Sequence, residues 1–168
     1  MSNEEECLFI SKAEKALKEA LEIVRSKDGW TMEKEDKKNQ VTVQMKKNAQ
    51  GRKIYLGKAK VNIPARILIE KIKDSDNITS WNKTLLRSET LKTINDTVGI
   101  TYQVTTDAAG GMVSSRDFVY LYKIGQEGAS WVMGGESIDY KEAPSSNKIV
   151  RAVNGPGVQM VTPCEVSL

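Results

Sequence analysis

Near the N-terminus, hydrophobic residues recur at every third or fourth position, with lysine and glutamate between them. This spacing predicts an amphipathic helix over residues 4–27, whose apolar stripe runs from Leu8 to Val24. The Asp28-Gly29 pair is a common helix end. The stripe favours a helix that packs on its own domain, and a helix that binds a partner or a membrane surface is the alternative.

Beyond Gly29, apolar and polar residues alternate, which is typical of β-strands. A bulge is expected near Gly57, and Pro64 is expected to begin a short second helix. Turn signals at 95–96 and 126–128 predict two hairpins, with a flexible loop at 107–111 between them. The predicted elements after the first helix are a strand that begins with residues 30–33 and precedes a turn at 36–39, strands at 41–45 and 54–63, a helix at 64–72, and strands at 84–94, 98–105, 115–124, 129–138 and 147–153. This order predicts one α+β domain, residues 1–168, with a strongly curved antiparallel sheet.

Composition removes several kinds of chemistry. The chain has no histidine, and Cys7 and Cys164 stand alone near opposite ends, so neither a metal site nor a cofactor is expected. The net charge of +3 comes from charges that look dispersed along the chain and therefore indicates no nucleic-acid partner. With an acidic N-terminus unlike a signal peptide and no long apolar run, we expect a cytoplasmic protein peripheral to membranes.

Three segments carry a recognisable pattern: SWNKT at 80–84, AAGGMVSSRDFV at 108–119 and VRAVNGPG at 150–157. Together they resemble the START domain, a family of lipid-binding and lipid-transfer proteins, and are nearest to its sterol-transfer branch. The resemblance covers roughly Trp30 to Gly157 and departs from the family at Ser115, where a proline is usual. It implies the helix-grip fold, in which a curved antiparallel sheet surrounds a lipid tunnel.

The resemblance also implies a difference at the C-terminus. Family members continue past the Gly-Pro turn into a long strand and a C-terminal lid helix, whereas this sequence ends with residues 158–168. We therefore expect the lid helix to be missing, one sheet edge to be unpaired and the tunnel to lack a wall. Poor lipid binding or low stability of this chain alone is the expected consequence.

Two positions match the polar pair of sterol-binding relatives, in which an acidic residue and an arginine meet the sterol hydroxyl. The matching residues here are Gln103 and Tyr122, which are both neutral. Loss of both charges together avoids an unpaired buried charge, and an amide and a phenol can still contact a hydroxyl. The change weakens the case for cholesterol and leaves room for other hydroxylated apolar ligands, such as carotenoids.

The remaining site residues also follow from the resemblance. Trp81, Met112 and Val113 are candidate tunnel-wall residues, with an ordinary core position as the alternative for each. The expected gate is the loop of Ala108, Ala109, Gly110 and Gly111, because glycine tolerates large backbone changes. Structural support is expected from Arg116, Asp117 and Arg151, since an arginine fork can satisfy a carboxylate or carbonyl groups where a loop meets a sheet.

The predicted function is non-enzymatic lipid binding and transfer between membranes, with a sterol in an internal tunnel. The expected partners are the lipid and, transiently, a membrane surface. One alternative is a carotenoid or other hydrophobic ligand in the same tunnel, and another is a truncated regulatory or interaction form. An enzyme is a further alternative because related helix-grip folds include cyclases and hydrolases, but no acid–base pair is recognisable in the sequence.

Overall fold

The computed structural model describes residues 2–145 and 148–164. These residues belong to two compact units, one containing residues 22–63 and the other containing residues 2–21, 64–145 and 148–164. The helices and strands are α1 (Asn3–Arg25), β1 (Thr31–Asp36), β2 (Val41–Lys47), β3 (Lys53–Ala59), α2 (Ala65–Lys73), β4 (Leu85–Thr93), β5 (Val98–Thr105), β6 (Arg116–Glu127), β7 (Ser130–Ser137), β8 (Val150–Arg151) and β9 (Gly157–Val161). The predicted α+β class is confirmed, and the single domain stays a prediction.

Helix α1 begins with a reciprocal cap that the sequence analysis missed. The Glu5 amide donates to the Ser2 hydroxyl (3.3 Å), and the Ser2 amide donates to the Glu5 carboxylate (2.9 Å). The helix ends at Arg25, two residues before its predicted end, and Gly29 follows with a φ of +78°. Its buried stripe has the predicted spacing and consists of Ala13, Ala16, Leu17, Ala20 and Leu21.

The larger sheet has the antiparallel order β4-β5-β6-β7-β9, and β8 adds to β6 in parallel. Strand β9 was not predicted. It pairs with β7 along its whole length and is itself the last strand of the sheet. The predicted strand at 147–153 is reduced to two residues, and its first residue, Asn147, lies outside the described residues. No helix occurs in the described residues that follow β9, 162–164.

One face of the larger sheet packs against α1. Ala13 lies in a core with alternate residues of β5 and β6, and Leu17 and Leu21 pack with Val132 of β7. Gly134 permits this approach, because a Cβ atom there would lie 2.8 Å from a methyl carbon of Leu17. The residues that contribute to the core from the sheet are Val98, Ile100, Tyr102, Val104, Val119 and Leu121.

The smaller unit contains a separate antiparallel sheet with the order β1-β2-β3. The pairing of β2 with β3 is regular through Gly57, so the bulge expected there is absent; the irregularity lies between Met32 and Lys34 of β1. Strand β3 also ends at Ala59, earlier than predicted. Within this unit the Lys46 ammonium group donates to the carbonyl of Ile23 (3.1 Å) and lies 4.5 Å from the centre of the Trp30 ring.

Candidate functional site

The larger sheet has a second face, which we call the distal face because its side chains point away from α1. Successive side chains of a strand point to opposite faces of the sheet. The residues between the core positions of β5 and β6 therefore point to the distal face. The register pairs Gly99 with Tyr122, Thr101 with Tyr120, Gln103 with Phe118 and Met133 with Ile124, and all of these residues belong to the distal face. Gln103, Phe118, Tyr120 and Met133 are only half-buried. This face therefore combines the apolar side chains of Phe118, Ile124 and Met133 with neutral polar groups.

Tyr122 is the most enclosed polar aromatic residue of the distal face. It is 6% exposed, and its ring lies across Gly99, where a Cβ atom would be 2.6 Å from the tyrosine hydroxyl oxygen. Burial, together with the nearby Asp76 carboxylate, raises the pKa of the Tyr122 hydroxyl. A glycine at position 99 is therefore required for this ring position.

Tyr122 borders an open cleft of about 500 Å³. The Asp76 carboxylate holds one side of the cleft in place by accepting a hydrogen bond from the Thr90 amide (2.8 Å), and the Lys73 ammonium group donates to the carbonyl of Asp96 (3.2 Å). The other lining residues are Glu70, Asp74, Ser75, Thr93 and Asn95. Apart from Tyr122, the lining residues are all polar or charged, so the cleft can receive the polar end of a ligand.

Gln103 and Tyr122 share the distal face but are not adjacent. Tyr122 pairs with Gly99, four residues from Gln103 along β5, so their backbones are about 13 Å apart. No hydrogen bond joins the two side chains, both of which are described. A single ligand hydroxyl can therefore contact one of these residues, but not both at once.

Tyr120 is a distal residue that the sequence analysis missed. Its hydroxyl donates toward the carbonyls of Gly135 (2.7 Å) and Gly157 (3.2 Å), and so connects β6 with β7 and β9. Burial raises the pKa of this hydroxyl to about 12. The two-residue spacing of Tyr120 and Tyr122 in a predicted strand was the available signal, because it places both rings on one face.

At the other end of β6, Asp117 and Arg151 form an ion pair. The Asp117 side chain is 2% exposed and accepts hydrogen bonds from the Arg151 guanidinium at 2.8 and 3.0 Å and from the Tyr102 hydroxyl at 2.9 Å. The Arg151 guanidinium holds the pKa of the Asp117 carboxyl below its usual value, although burial opposes this. Arg151 also donates to the carbonyl of Pro144. This cluster joins two of the sequence motifs through the pairing of β8 with β6.

Arg116 has different partners from its neighbour. Its guanidinium donates to the carbonyl of Ser114 (2.7 Å) and, at 3.3 Å, to that of Ser115. The preceding loop folds back on itself, because the Ala108 amide donates to the carbonyl of Val113 (2.9 Å) and the Val113 amide returns a bond of 3.1 Å. The backbone between them forms a tight turn at Ala109–Gly111, with φ of +67° and +89° at its two glycines.

The three candidate wall residues are all exposed. Met112 is 85% exposed, Val113 is 45% exposed and Trp81 is 46% exposed. The alternative that they are ordinary core residues is therefore wrong. Met112 and Val113 lie in the loop between β5 and β6, at the same end of the larger sheet as Val150. A contribution to a tunnel wall stays a prediction for these residues.

Two features that bear on function are absent from the described residues, 2–145 and 148–164. No group of three or more His, Cys, Asp or Glu side chains is placed to hold a metal ion. No helix in these ranges is both long and apolar enough to cross a membrane.

Comparison with known proteins connects this geometry with a family. The START domain model matches residues 10–167. The mitochondrial steroidogenic acute regulatory protein of Equus caballus is 26% identical over 162 residues, which cover 96% of this chain and 56% of that protein. The human protein of the same name is 25% identical with the same coverage. The chain thus spans little more than half the length of these relatives.

Solved structures show the same fold. Human StAR-related lipid transfer protein 5 superposes with a TM-score of 0.82 at 20% identity, over 94% of this chain and 76% of that one. The STAR-related lipid transfer protein fragment of Xanthomonas axonopodis gives a TM-score of 0.62 at 21% identity, over 81% and 83% of the two chains. These likenesses confirm the predicted helix-grip fold. Because the family model matches nearly the whole sequence, this chain belongs to the START domain family of lipid-binding transfer proteins.

Proposed function

We propose that this chain is a non-enzymatic carrier that binds a sterol on the distal face of its larger sheet and moves it between membranes through the cytoplasm. The observation that carries the proposal is the half-buried surface of that face, where Phe118 and Met133 lie beside the neutral polar side chains of Gln103 and Tyr120. Lipid sites have this composition, because most of the ligand is apolar and its polar end needs only one or two partners. Burial of apolar ligand surface contributes roughly 25 cal/mol per Å².

The ligand hydroxyl is proposed to contact either Gln103 or Tyr122. Gln103 lies beside the half-buried Phe118 on the distal face, whereas Tyr122 borders the cleft. Either residue can donate and accept a hydrogen bond. A neutral contact of this kind is compatible with a sterol, and equally with another hydroxylated apolar ligand such as a carotenoid.

The loop at 108–113 is the proposed gate. Its amides and carbonyls bond chiefly within the loop, and Met112 packs against nothing extensive because it is 85% exposed. Loops with few buried contacts open at low cost in free energy. Met112, Val113 and Trp81 would then meet the ligand during entry and exit, rather than in a closed cavity.

The test is to purify the chain, record its native mass and identify any lipid extracted from it. A stoichiometric sterol supports the proposal, whereas a stoichiometric carotenoid would replace the sterol and keep the carrier. An empty, folded chain that neither takes up a fluorescent sterol nor transfers it between vesicles would contradict carrier function. That result would favour the alternative of a regulatory or interaction form.

Two variants separate the proposed contacts. Gln103→Leu and Tyr122→Phe each remove one hydrogen-bonding group, and loss of the true contact should weaken sterol binding about fivefold, which corresponds to roughly 1 kcal/mol. Tyr140→Phe is the matched control, since the Tyr140 hydroxyl bonds to the exposed Glu142 rather than facing the distal surface. If Gln103→Leu and Tyr122→Phe both bind the sterol as tightly as the Tyr140→Phe control, both proposed contacts are refuted.

A further inference from the structure

The division of the chain into two units reveals an uneven distribution of charge. Residues 22–63 contain eleven Lys and Arg residues against five Asp and Glu, a net charge of +6, whereas the whole chain carries only +3. The remainder is therefore net negative by three charges. The interpretation of the charges as dispersed was wrong, because the −3 of the remainder offsets half of the +6 of residues 22–63 in the total.

Within the smaller unit, the segment from Lys37 onward is basic and contains no acidic residue. Residues 37–63 contain eight Lys and Arg residues and no Asp or Glu. The five acidic residues of this unit all precede Lys37, so none belongs to β2, to β3 or to the turn between them. These two strands consequently have a positive potential with no acidic side chain of their own to offset it.

The turn between β2 and β3 presents the strongest concentration of charge. Asn48 shapes this turn, because its side-chain oxygen accepts hydrogen bonds from the amides of Gln50 (3.0 Å) and Arg52 (2.8 Å). Lys47 at the end of β2 and Lys53 at the start of β3 are direct cross-strand partners. We call Lys47, Arg52 and Lys53 the basic hairpin.

The side chains of the basic hairpin are exposed and form no ion pair within the described part of the chain. Like charges directly opposite each other across two strands are destabilising. Lys46 differs, because it points to the other face and is engaged with Ile23 and Trp30. The hairpin thus retains an unfavourable pair of charges that a bound anion would relieve.

An exposed aromatic ring lies next to these charges. Tyr55 is 56% exposed and follows Lys53 on the same face of β3, since successive side chains alternate. A tyrosine has an apolar ring and a polar end, which suits the boundary between lipid chains and water. Lysine and arginine likewise combine an apolar stem with a charged end.

We propose that the basic hairpin, with Tyr55, docks this protein on the anionic headgroups of a membrane. The choice of a membrane over a nucleic acid or an acidic protein rests on the proposed function, because a carrier must meet a membrane to load and release lipid. Each basic residue close to an anionic surface strengthens binding about fivefold, so the three together contribute about 100-fold. The attraction falls as salt screens it.

The test uses the whole chain and two vesicle compositions, phosphatidylcholine alone and phosphatidylcholine with about 30 mol % phosphatidylserine. The variant Lys47→Gln/Arg52→Gln/Lys53→Gln should bind the anionic vesicles about 100-fold more weakly in co-sedimentation. The matched control removes three exposed lysines from the larger unit, Lys12→Gln/Lys18→Gln/Lys141→Gln, and lowers the net charge equally. The control should bind these vesicles nearly as well as the unchanged chain.

Folding can be separated from docking. The hairpin variant should melt at or above the temperature of the unchanged chain, because it removes an unfavourable cross-strand pair. Equal losses of vesicle binding in the hairpin and control variants would overturn the proposal, since net charge alone would explain them. If the hairpin variant loses DNA binding but still binds anionic vesicles like the unchanged chain, the docking proposal is overturned in favour of a nucleic-acid surface.

The outcome is independent of the proposed ligand site. Uptake of a fluorescent sterol by the chain in solution, without vesicles, reports the carrier function alone. If the chain takes up sterol normally and the hairpin variant binds anionic vesicles as well as the unchanged chain does, docking by the hairpin is overturned and the carrier function stands. If the chain takes up no sterol and the hairpin variant alone loses binding to anionic vesicles, docking is supported and the carrier function is contradicted.

Discussion

Replacement of Arg151 by methionine should destabilise the protein by leaving Asp117 with one partner. The Asp117 carboxylate is 2% exposed and would keep one side-chain partner, the Tyr102 hydroxyl. Removal of one member of a buried ion pair costs about 3–5 kcal/mol. Because the Arg151 side chain is 37% exposed, water partly replaces it, and we expect about 2–3 kcal/mol. That is a large part of the roughly 5–15 kcal/mol that stabilises a typical domain.

Urea unfolding followed by tryptophan fluorescence measures this loss as a lower midpoint with an unchanged slope. Arg116→Met is the control, because the Arg116 guanidinium bonds only to nearby serines and its loss should cost well under about 1 kcal/mol. Asp117→Asn combined with Arg151→Met should recover part of the stability by removing the second charge. If Arg151→Met lowers the free energy of unfolding by less than about 0.5 kcal/mol, the reasoning is refuted.

The pH dependence gives a second measurement of the same pair. The pKa of Asp117 is lowered in the folded state, so its contribution is present above the unfolded pKa and is lost as the pH falls through the folded pKa. Without Arg151 the main cause of that lowering is gone, and Asp117 takes up a proton at a higher pH. The difference in unfolding free energy between the two proteins should therefore narrow from pH 7 to about pH 3. A difference that does not change with pH would place its cause outside this ion pair.

Three further substitutions test the packing of the larger sheet. Gly135→Ala should prevent normal pairing of β6 and β7 and lower the melting temperature, because the new Cβ atom would lie 1.8 Å from the carbonyl oxygen of Leu121. Gly57→Ala is the control and should leave the melting temperature nearly unchanged, because no atom lies within 4 Å of the new Cβ. Gly99→Ala should cost about 1–3 kcal/mol by displacing the Tyr122 ring, and a changed sterol affinity without loss of stability would contradict this. Leu17→Ala should cost about 2–5 kcal/mol in chemical unfolding, and a loss below about 1 kcal/mol would show that α1 does not depend on this contact.

Local patterns in the sequence predicted most of the elements. The three- and four-residue spacing of α1 and the alternation of β5 and β6 reflect how each element buries one side, so they are visible without a structure. Strand β9 was missed because its burial depends on pairing with β7, although Val158 and Val161 are half-buried as in other strands. The hairpin boundaries agreed within one to three residues, since turn residues act locally.

The sequence by itself also determined the family, because the combination of three short motifs is recognised along the chain without knowledge of how they lie in space. Only the tertiary structure decided how these motifs combine. Asp117 and Arg151 meet because β8 adds to β6 in parallel, a pairing that the 34-residue separation does not predict. Gln103 and Tyr122, which looked like a pair in sequence, are held about 13 Å apart by strand register. The positive charge of residues 22–63 likewise became visible only when the fold divided the chain into two units. The net charge of the whole chain sums both units and so hides the difference between them.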